Sequence, residues 1–203
     1  VPWSLILKAI GTSSIGRQES SDWSYWKREA LVFQSGLLDD LSGDLVAPRC
    51  FGVDEYSSQE FWIWLEDIPE QAEASWSLER YGLAARHLVQ FNGPYFMGQP
   101  LPEASWFSTG RVRSYLARAK PIILDLPSIS KHPLVQCWLT RDSVERILQL
   151  WADQDRLLEL FDHLPKSLCH MDAFRGNLLT RRGIDDREQT VAIDWSITGI
   201  GAI

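Results

Sequence analysis

The stretch that decides the fold lies near the end of the 203-residue chain and reads HMDAFRGN over residues 170–177, followed by AIDW over residues 192–195. The first segment has the pattern H-x-D-x-x-x-x-N, and the second places Asp194 at the end of an apolar strand. A short charged turn separates the two strands that this spacing predicts. The sequence therefore predicts a β-hairpin that brings Asp172, Asn177 and Asp194 around one site.

These three side chains match the requirements of phosphoryl transfer from ATP. One carboxylate must lie at the acceptor hydroxyl, while an Asn and a second Asp hold the magnesium ion that bridges the phosphates. We therefore predict Asp172 as the catalytic base. Asn177 and Asp194 are predicted as metal ligands, because magnesium prefers oxygen ligands and keeps several waters. His170 is expected to organise the loop, and the role of Arg175 is left open.

One charge, Lys8, interrupts the apolar run Trp3–Ile10, which is predicted as a buried strand. A lysine in such a strand is costly unless it is paired. The expected partner is Glu29, on a helix predicted from about Trp23 to Leu38 with Asp22 as its N-cap. An ion pair that aims an ammonium group at the α- and β-phosphates is part of kinase sites. The alternative is an edge strand with the ammonium in water.

The remaining pattern is β-rich, then helical, then β-rich again, which predicts the α+β class. The strand that ends at Leu65 leads into an acidic linker, residues 66–73, which suggests a boundary between residues 1–68 and residues 69–203. The first helix after the linker is expected to bury Leu78, Tyr81, Ala85 and Leu88. The other predicted elements are a hairpin of residues 49–53 and 60–65 with its turn at 54–59, a helix from Ser77 to about Asn92, a helix over 109–120 that ends at Pro121, a long helix from Asp142 to about His163, and strands over 167–171, 177–180 and 190–195.

Charge and composition exclude several function classes. The net charge of −7 argues against a general binder of nucleic acid or of anionic membranes. No apolar run approaches the length of a membrane helix, and the first residues lack the basic region of a signal peptide. The three cysteines are far apart and form no C-x-x-C pair, as is usual in a reducing compartment. We expect a cytoplasmic protein with a small-molecule partner; the oligomeric state stays open.

Three other interpretations were weighed against the kinase hypothesis. Residues 11–18 carry the two glycines of a P-loop, but Arg17 and Gln18 replace its Lys and Ser/Thr. A metal-dependent hydrolase could use His170 with the two aspartates, although no further histidine lies nearby in the sequence. A non-catalytic nucleotide-binding module, similar to a pseudokinase, is the main alternative.

The chain resembles the aminoglycoside phosphotransferase and choline kinase group of small-molecule kinases, within the protein-kinase-like fold. The usual loop of that family reads H-G-D-x-x-x-x-N, and its metal strand reads I-D-W or I-D-F, as at residues 193–195 here. Its lysine strand and glutamate helix match Lys8 and Glu29, and its L-E-D linker matches residues 65–67. Met171 stands where the family usually has Gly.

The resemblance implies two lobes, of which the smaller is a mixed β-sheet with one helix. The larger lobe is mainly helical and carries the catalytic hairpin. It further implies ATP and Mg²⁺ as cofactors, a small hydroxyl compound as acceptor, and adenine binding along the linker at Glu66 and Ile68. By the same comparison the chain begins at the third strand of the family and ends just after the metal strand. The phosphate-covering hairpin and the C-terminal helices are therefore expected to be missing.

Overall fold

The structure, a computed structural model, describes most of the chain, namely residues 3–12, 19–39, 41–69, 76–183 and 185–202. Residues 13–18 of the P-loop-like segment and residues 70–75 around the predicted linker lie outside this part. The elements in chain order are β1 (Leu5–Gly11), α1 (Arg28–Gln34), β2 (Leu45–Val46), β3 (Cys50–Ser57), β4 (Glu60–Glu66), α2 (Leu78–Phe96), α3 (Arg111–Ile129), α4 (Pro133–Gln136), α5 (Arg141–Ala152), α6 (Gln154–Asp162), β5 (Lys166–Cys169), β6 (Leu178–Arg182), β7 (Glu188–Ala192) and β8 (Gly199–Ala202). The predicted α+β class is confirmed.

Two compact units make up the chain. One comprises residues 1–109 and 166–201 and holds the sheets with α1 and α2; the other comprises residues 110–165 and holds α3 to α6. The predicted lobes, residues 1–68 and 69–203, are defined differently: each is expected to form one side of a nucleotide-binding cleft. That functional division stays a prediction.

The first sheet has the strand order β1-β4-β3, and both of its pairings are antiparallel. The expectation of a mixed sheet is wrong here, because a hairpin joins β3 to β4 and β1 pairs with β4 in the opposite direction. The hairpin itself is confirmed, although β3 continues through most of the predicted turn. Among the described strands β1 lies at the sheet edge, so the prediction of a buried strand is also wrong. Ile6 and Leu7 are 45% and 43% exposed.

Helix α1 covers the inner face of this sheet. Phe61, Ile63 and Leu65 alternate along β4 and are buried with Ala30 of the helix. Alternation of this kind is what a strand with one covered face requires. The β4 side chains between them, such as Trp62, point to the other face. Because α1 packs on this face, side chains of the helix can contact side chains of the sheet only on this side.

Helix α1 is shorter than predicted, since it begins at Arg28 and not near Trp23. Asp22 caps a preceding turn instead of the helix, because its side chain accepts hydrogen bonds from the backbone N–H and hydroxyl of Ser24 at 2.9 and 2.7 Å. The guanidinium group of Arg28 binds the carbonyl oxygens of Ser20, Asp22 and Trp23. These contacts hold the turn before the helix, in which the carbonyl of Asp22 also accepts from the backbone N–H of Tyr25 at 3.0 Å.

The second sheet has the order β2-β7-β6 and is mixed, with β2 parallel to β7 and β6 antiparallel to it. The β6–β7 hairpin is the one predicted around the site, and the pairing of Leu178 with Ala192 sets its register. Strands β5 and β8 form a separate two-stranded sheet. The core beneath these sheets includes Trp195, which is fully buried and meets Phe91 of α2 edge-to-face at 5.9 Å.

The buried face of α2 differs from the prediction. Ser77 caps the helix as expected, accepting from the backbone N–H of Arg80 at 3.2 Å. The predicted stop near Asn92 is wrong, because the helix continues past Pro94 to its end at Phe96. The predicted face is wrong as well, since Leu78 is 89% exposed. The side chains buried instead are Arg80, Ala84, His87 and Phe91.

Two polar residues lie on this buried face because the β6–β7 hairpin offers them partners. Arg80 donates to the hydroxyl of Thr180 at 2.7 Å and, through both terminal nitrogens, to that of Thr190 at 3.1 Å. With its oxygen so used, Thr190 donates its own proton to Nδ1 of His87 at 2.9 Å. This places the ring proton of His87 on Nε2 and keeps the ring neutral. Burial lowers the pKa of His87, as does the charge of Arg80, against the attraction of Asp44.

We expect the protein to lose about 1–2 kcal/mol of unfolding free energy as the pH falls from about 7.5 to about 5.5. The pKa values of His87 and His170 are both lowered in the folded chain. The unfolded chain therefore binds more protons just below pH 6.5, and stability falls with pH there. Urea unfolding across this range measures the slope. His87→Gln should remove about half of it. An unaltered slope in His87→Gln would contradict this assignment.

The second unit is helical, and its boundaries correct three predictions. Helix α3 continues through Pro121, where an end was predicted, and through Pro127. The long helix predicted from Asp142 is two helices that meet at Asp153. Its N-cap is Thr140, whose hydroxyl accepts from the backbone N–H of residue 143 at 3.2 Å. In the part of the chain that is described, no helix has the length and apolar character needed to cross a membrane.

Candidate active site

The loop between β5 and β6 is organised by His170. Its Nδ1 accepts a hydrogen bond from the backbone N–H of Asp172 at 3.2 Å, so Nε2 carries the proton and donates to the carbonyl of Ile193 at 2.9 Å. The ring also meets Trp195 edge-on at 4.5 Å. Burial lowers the pKa of His170 and favours this neutral form, although Ile193, Asp172 and Asp194 oppose the shift. The predicted loop-organising contact of His170 is confirmed.

Asn177 is held by Asp172. Its Nδ2 donates to Oδ2 of Asp172 at 3.0 Å and to the backbone carbonyl of the same residue at 3.1 Å. Both partners are acceptors, so the amide must present its NH₂ group to them. The oxygen Oδ1 then remains as the atom that can bind a cation, and no hydrogen bond to it is seen within the described residues. The structure thus brings these two predicted site residues into direct contact.

Lys8 bridges two carboxylates. Its Nζ lies 2.5 Å from Oε2 of Glu29 and 3.0 Å from Oδ1 of Asp194. The predicted pair with Glu29 is confirmed, whereas the contact with Asp194 was not foreseen. Burial works to lower the pKa of Lys8, but the two carboxylates raise it above its ordinary value. Although β1 is an edge strand, the ammonium is therefore paired.

Asp194 keeps an ionised and accessible carboxylate. Burial works to raise the pKa of this carboxyl, but the charge and hydrogen bond of Lys8 and the hydroxyl of Ser196 hold it below its usual range. The side chain stays accessible, at 39% exposure. A carboxylate that is partly exposed and ionised can bind a metal ion. Its contact with the ammonium of Lys8 would then be shared with that ion.

A cavity of about 380 Å³ joins these side chains to the linker. Six of the seven predicted site residues line this cavity. The seventh, Asp172, does not line it but is hydrogen-bonded to Asn177, which does. Most of the apolar wall was not predicted from the sequence, although two of its members, Leu179 and Ile193, lie within two residues of the predicted ligands Asn177 and Asp194. The lining residues are Lys8, Glu29, Glu66, Asp67, Asn177 and Asp194, with Ile6, Pro48, Leu65, Ile68, Leu179 and Ile193 as the apolar part.

Two residues of the site have left-handed backbone conformations. Met171 has φ of 65° and Asp194 has φ of 61°. Aspartate visits this region more readily than most residues, while a methionine there is strained. Gly201 lies against the Met171 side chain, and a Cβ at that glycine would come within 2.7 Å of Cε. Such strain is typical of sites whose surroundings hold a loop in one conformation.

Helix α1 is attached to the segment that follows Asp194. Arg28, which is fully buried, donates through Nη1 to the carbonyl of Ser196 at 3.1 Å and through Nε to that of Trp106 at 2.6 Å. Glu29 accepts a hydrogen bond from the backbone N–H of Trp195. Burial lowers the pKa of Arg28 to about 10, which still leaves it charged at neutral pH. These contacts fix Glu29 relative to Asp194.

The donor set of the cleft fits magnesium. Asp194 offers a carboxylate and Asn177 an amide oxygen, both of which are hard ligands. The described residues contain no group of three or more His, Cys, Asp or Glu side chains able to hold a metal ion. A metal at this position would therefore take its other ligands from water and phosphate oxygens, as magnesium commonly does with nucleotides.

This α+β chain brings a lysine, carboxylates and an amide together around one cleft. The family of phosphotransferase enzymes known as APH matches residues 15–203, almost the entire length. The chain belongs to this phosphotransferase enzyme family. None of the curated proteins compared with it gives a match.

Proposed function

We propose that the protein is an ATP-dependent small-molecule kinase that transfers the γ-phosphate to a hydroxyl group of its acceptor. The observation that carries this proposal is the position of the Lys8 ammonium between Glu29 and Asp194, on the wall of a cleft that Asn177 also lines. Membership of the phosphotransferase family supports the reaction class. In such reactions the protein contributes mainly positioning and charge stabilisation.

The apolar wall and the linker are assigned to the purine end of ATP. Leu179 and Ile193 would contact the faces of the ring, and the backbone from Glu66 to Ile68 would exchange hydrogen bonds with its edge. Lys8 would point its ammonium at the α- and β-phosphates, kept in place by Glu29. A pocket of a few hundred cubic ångströms that is apolar apart from a few polar groups is a usual size and character for such a ligand.

Magnesium, when bound, would neutralise charge on the β- and γ-phosphates and would be held by Asn177 and Asp194. The amide of Asn177 is already turned by Asp172 so that its oxygen can serve as a ligand. Asp194 supplies the one protein carboxylate. Lys8 would then share Asp194 with the metal while keeping its contact with Glu29.

Asp172 is proposed as the catalytic base. Asn177 and His170 hold its loop, so its carboxylate is oriented before the acceptor arrives. The carboxylate would accept a hydrogen bond from the acceptor hydroxyl and take its proton as the bond to phosphorus forms. The acceptor class is a hydroxylated small molecule such as an aminoglycoside, choline, ethanolamine, another amino alcohol or a sugar.

The proposal is tested with a panel of these acceptors, each mixed with ATP and magnesium. We expect ADP release above the acceptor-free rate for at least one of them, together with a phosphorylated product detected by mass spectrometry. Chelation of magnesium should abolish both signals. Magnesium-dependent ATP binding without any phosphorylated product would favour the non-catalytic nucleotide-binding module. Absence of nucleotide binding would overturn the proposal.

A further inference from the structure

An ion pair links the linker strand to the catalytic hairpin. Nη1 of Arg181, on β6, lies 3.2 and 3.0 Å from the two carboxylate oxygens of Glu66, the last residue of β4. The two side chains are 31% and 33% exposed. This pair joins the first sheet directly to the second.

Both ends of the pair are held in place by neighbouring groups. Nε of Arg181 donates to the side chain of Gln189 on β7 at 3.0 Å. Oε2 of Glu66 accepts from the backbone N–H of Arg49 at 3.1 Å, and the backbone N–H of Glu66 donates to the carbonyl of Arg49 at 2.9 Å. The carboxylate and the backbone N–H of residue 66 are therefore both engaged within the protein, so the linker can offer a ligand the carbonyl of residue 66 and the backbone of residues 67 and 68.

The pair lies beside the apolar end of the cleft. Glu66 is the second of four consecutive lining residues, 65–68, and Leu179, two residues before Arg181 on the same strand, lines the cavity as well. The distance between the linker backbone and β6 sets the width of this end. A planar ring needs that width to be fixed, because it must contact an apolar face and a backbone edge together.

We propose that Arg181 is a positioning residue for the nucleotide, acting through Glu66 to hold the linker backbone at the width that a purine requires. This inference rests on the proposed function, since it assigns the apolar end of the cleft to the purine. If the pair served only the overall stability of the fold, its removal would lower the melting temperature. Partly exposed ion pairs contribute little to the free energy of unfolding, so removal of the pair should change ligand affinity more than melting temperature.

The experiment compares Arg181→Met with Arg182→Met, a matched change at the next residue of β6. Arg182 is exposed and pairs with Asp186 at the hairpin tip. The probes are adenosine and magnesium–ATP, titrated into the full chain by calorimetry. We expect Arg181→Met to weaken both by a similar factor, about five- to twentyfold, with a nearly unchanged melting temperature. Arg182→Met should bind both probes as the wild type does.

A charge exchange gives a second readout. Glu66→Arg and Arg181→Glu should each weaken adenosine binding, and the double variant should recover part of the lost affinity. The inference would be overturned if Arg181→Met bound adenosine with unchanged affinity, or if it lost affinity for magnesium–ATP alone. If the wild type binds neither probe, the proposed function fails instead, so the two failures are distinguishable.

Discussion

Asp194→Asn is expected to abolish turnover almost completely and to remove the dependence of ATP affinity on magnesium. The substitution keeps the size of the side chain but removes the one carboxylate that the segment after β7 offers to the metal. It also leaves Lys8 with Glu29 as its single ionic partner at this site. Turnover with an active acceptor, and ATP titrations with and without magnesium, measure the two effects.

Asp186→Asn is the matched control. Asp186 also has a left-handed backbone, with φ of 62°, but it lies at the exposed tip of the β6–β7 hairpin. The same chemical change at a similar backbone conformation should therefore leave turnover and affinity as they are in the wild type. Retained activity of Asp194→Asn at ordinary magnesium concentrations would argue against its assignment as a ligand.

Asp172→Ala is expected to lower the rate of phosphoryl transfer by about two to four orders of magnitude, the range for a positioned acid–base group, and to leave ATP affinity nearly unchanged. Asn177 keeps one anchor in this variant, because its Nδ2 also donates to the backbone carbonyl of residue 172. The metal ligand is thereby preserved while the base is lost. Single-turnover rates and ATP titrations separate the two quantities.

Removal of an exposed aspartate from helix α6, Asp155→Ala, controls for the loss of one negative charge and should have no effect on the rate. A different pattern would reassign Asp172. A large loss of ATP affinity with little change in rate would make it a residue that shapes the metal site and not the base.

Local patterns predicted the elements whose side chains have neighbours close in sequence. The apolar segments at residues 49–53 and 60–65, separated by a polar turn, predict a hairpin, and the structure has it. The spacing of Asp172 and Asn177 places them on the same loop, where they meet. The polar and turn residues between β6 and β7 likewise predict that hairpin, because turn chemistry is encoded within a few residues.

Predictions failed where a distant partner decided the outcome. The buried face of α2 is polar because Arg80 and His87 reach hydroxyls about a hundred residues further along the chain, and no periodicity of apolar residues signals this. The contact of Lys8 with Asp194 spans 186 residues. The apolar composition of β1 predicts a buried strand, yet the order of the strands, which depends on pairing across the chain, places it at the sheet edge. Pro121 removes one hydrogen bond of a helix without ending it.

The attachment of α1 to the segment after Asp194 has a consequence for regulation. Moving the helix alone would break the bond from Arg28 to Ser196 and that from Trp195 to Glu29. It would also cost the buried guanidinium two of its carbonyl acceptors, those of Trp106 and Ser196, which is unfavourable. The helix and the metal-binding segment are therefore expected to move together. A state in which this helix alone swings away from the cleft should accordingly be disfavoured.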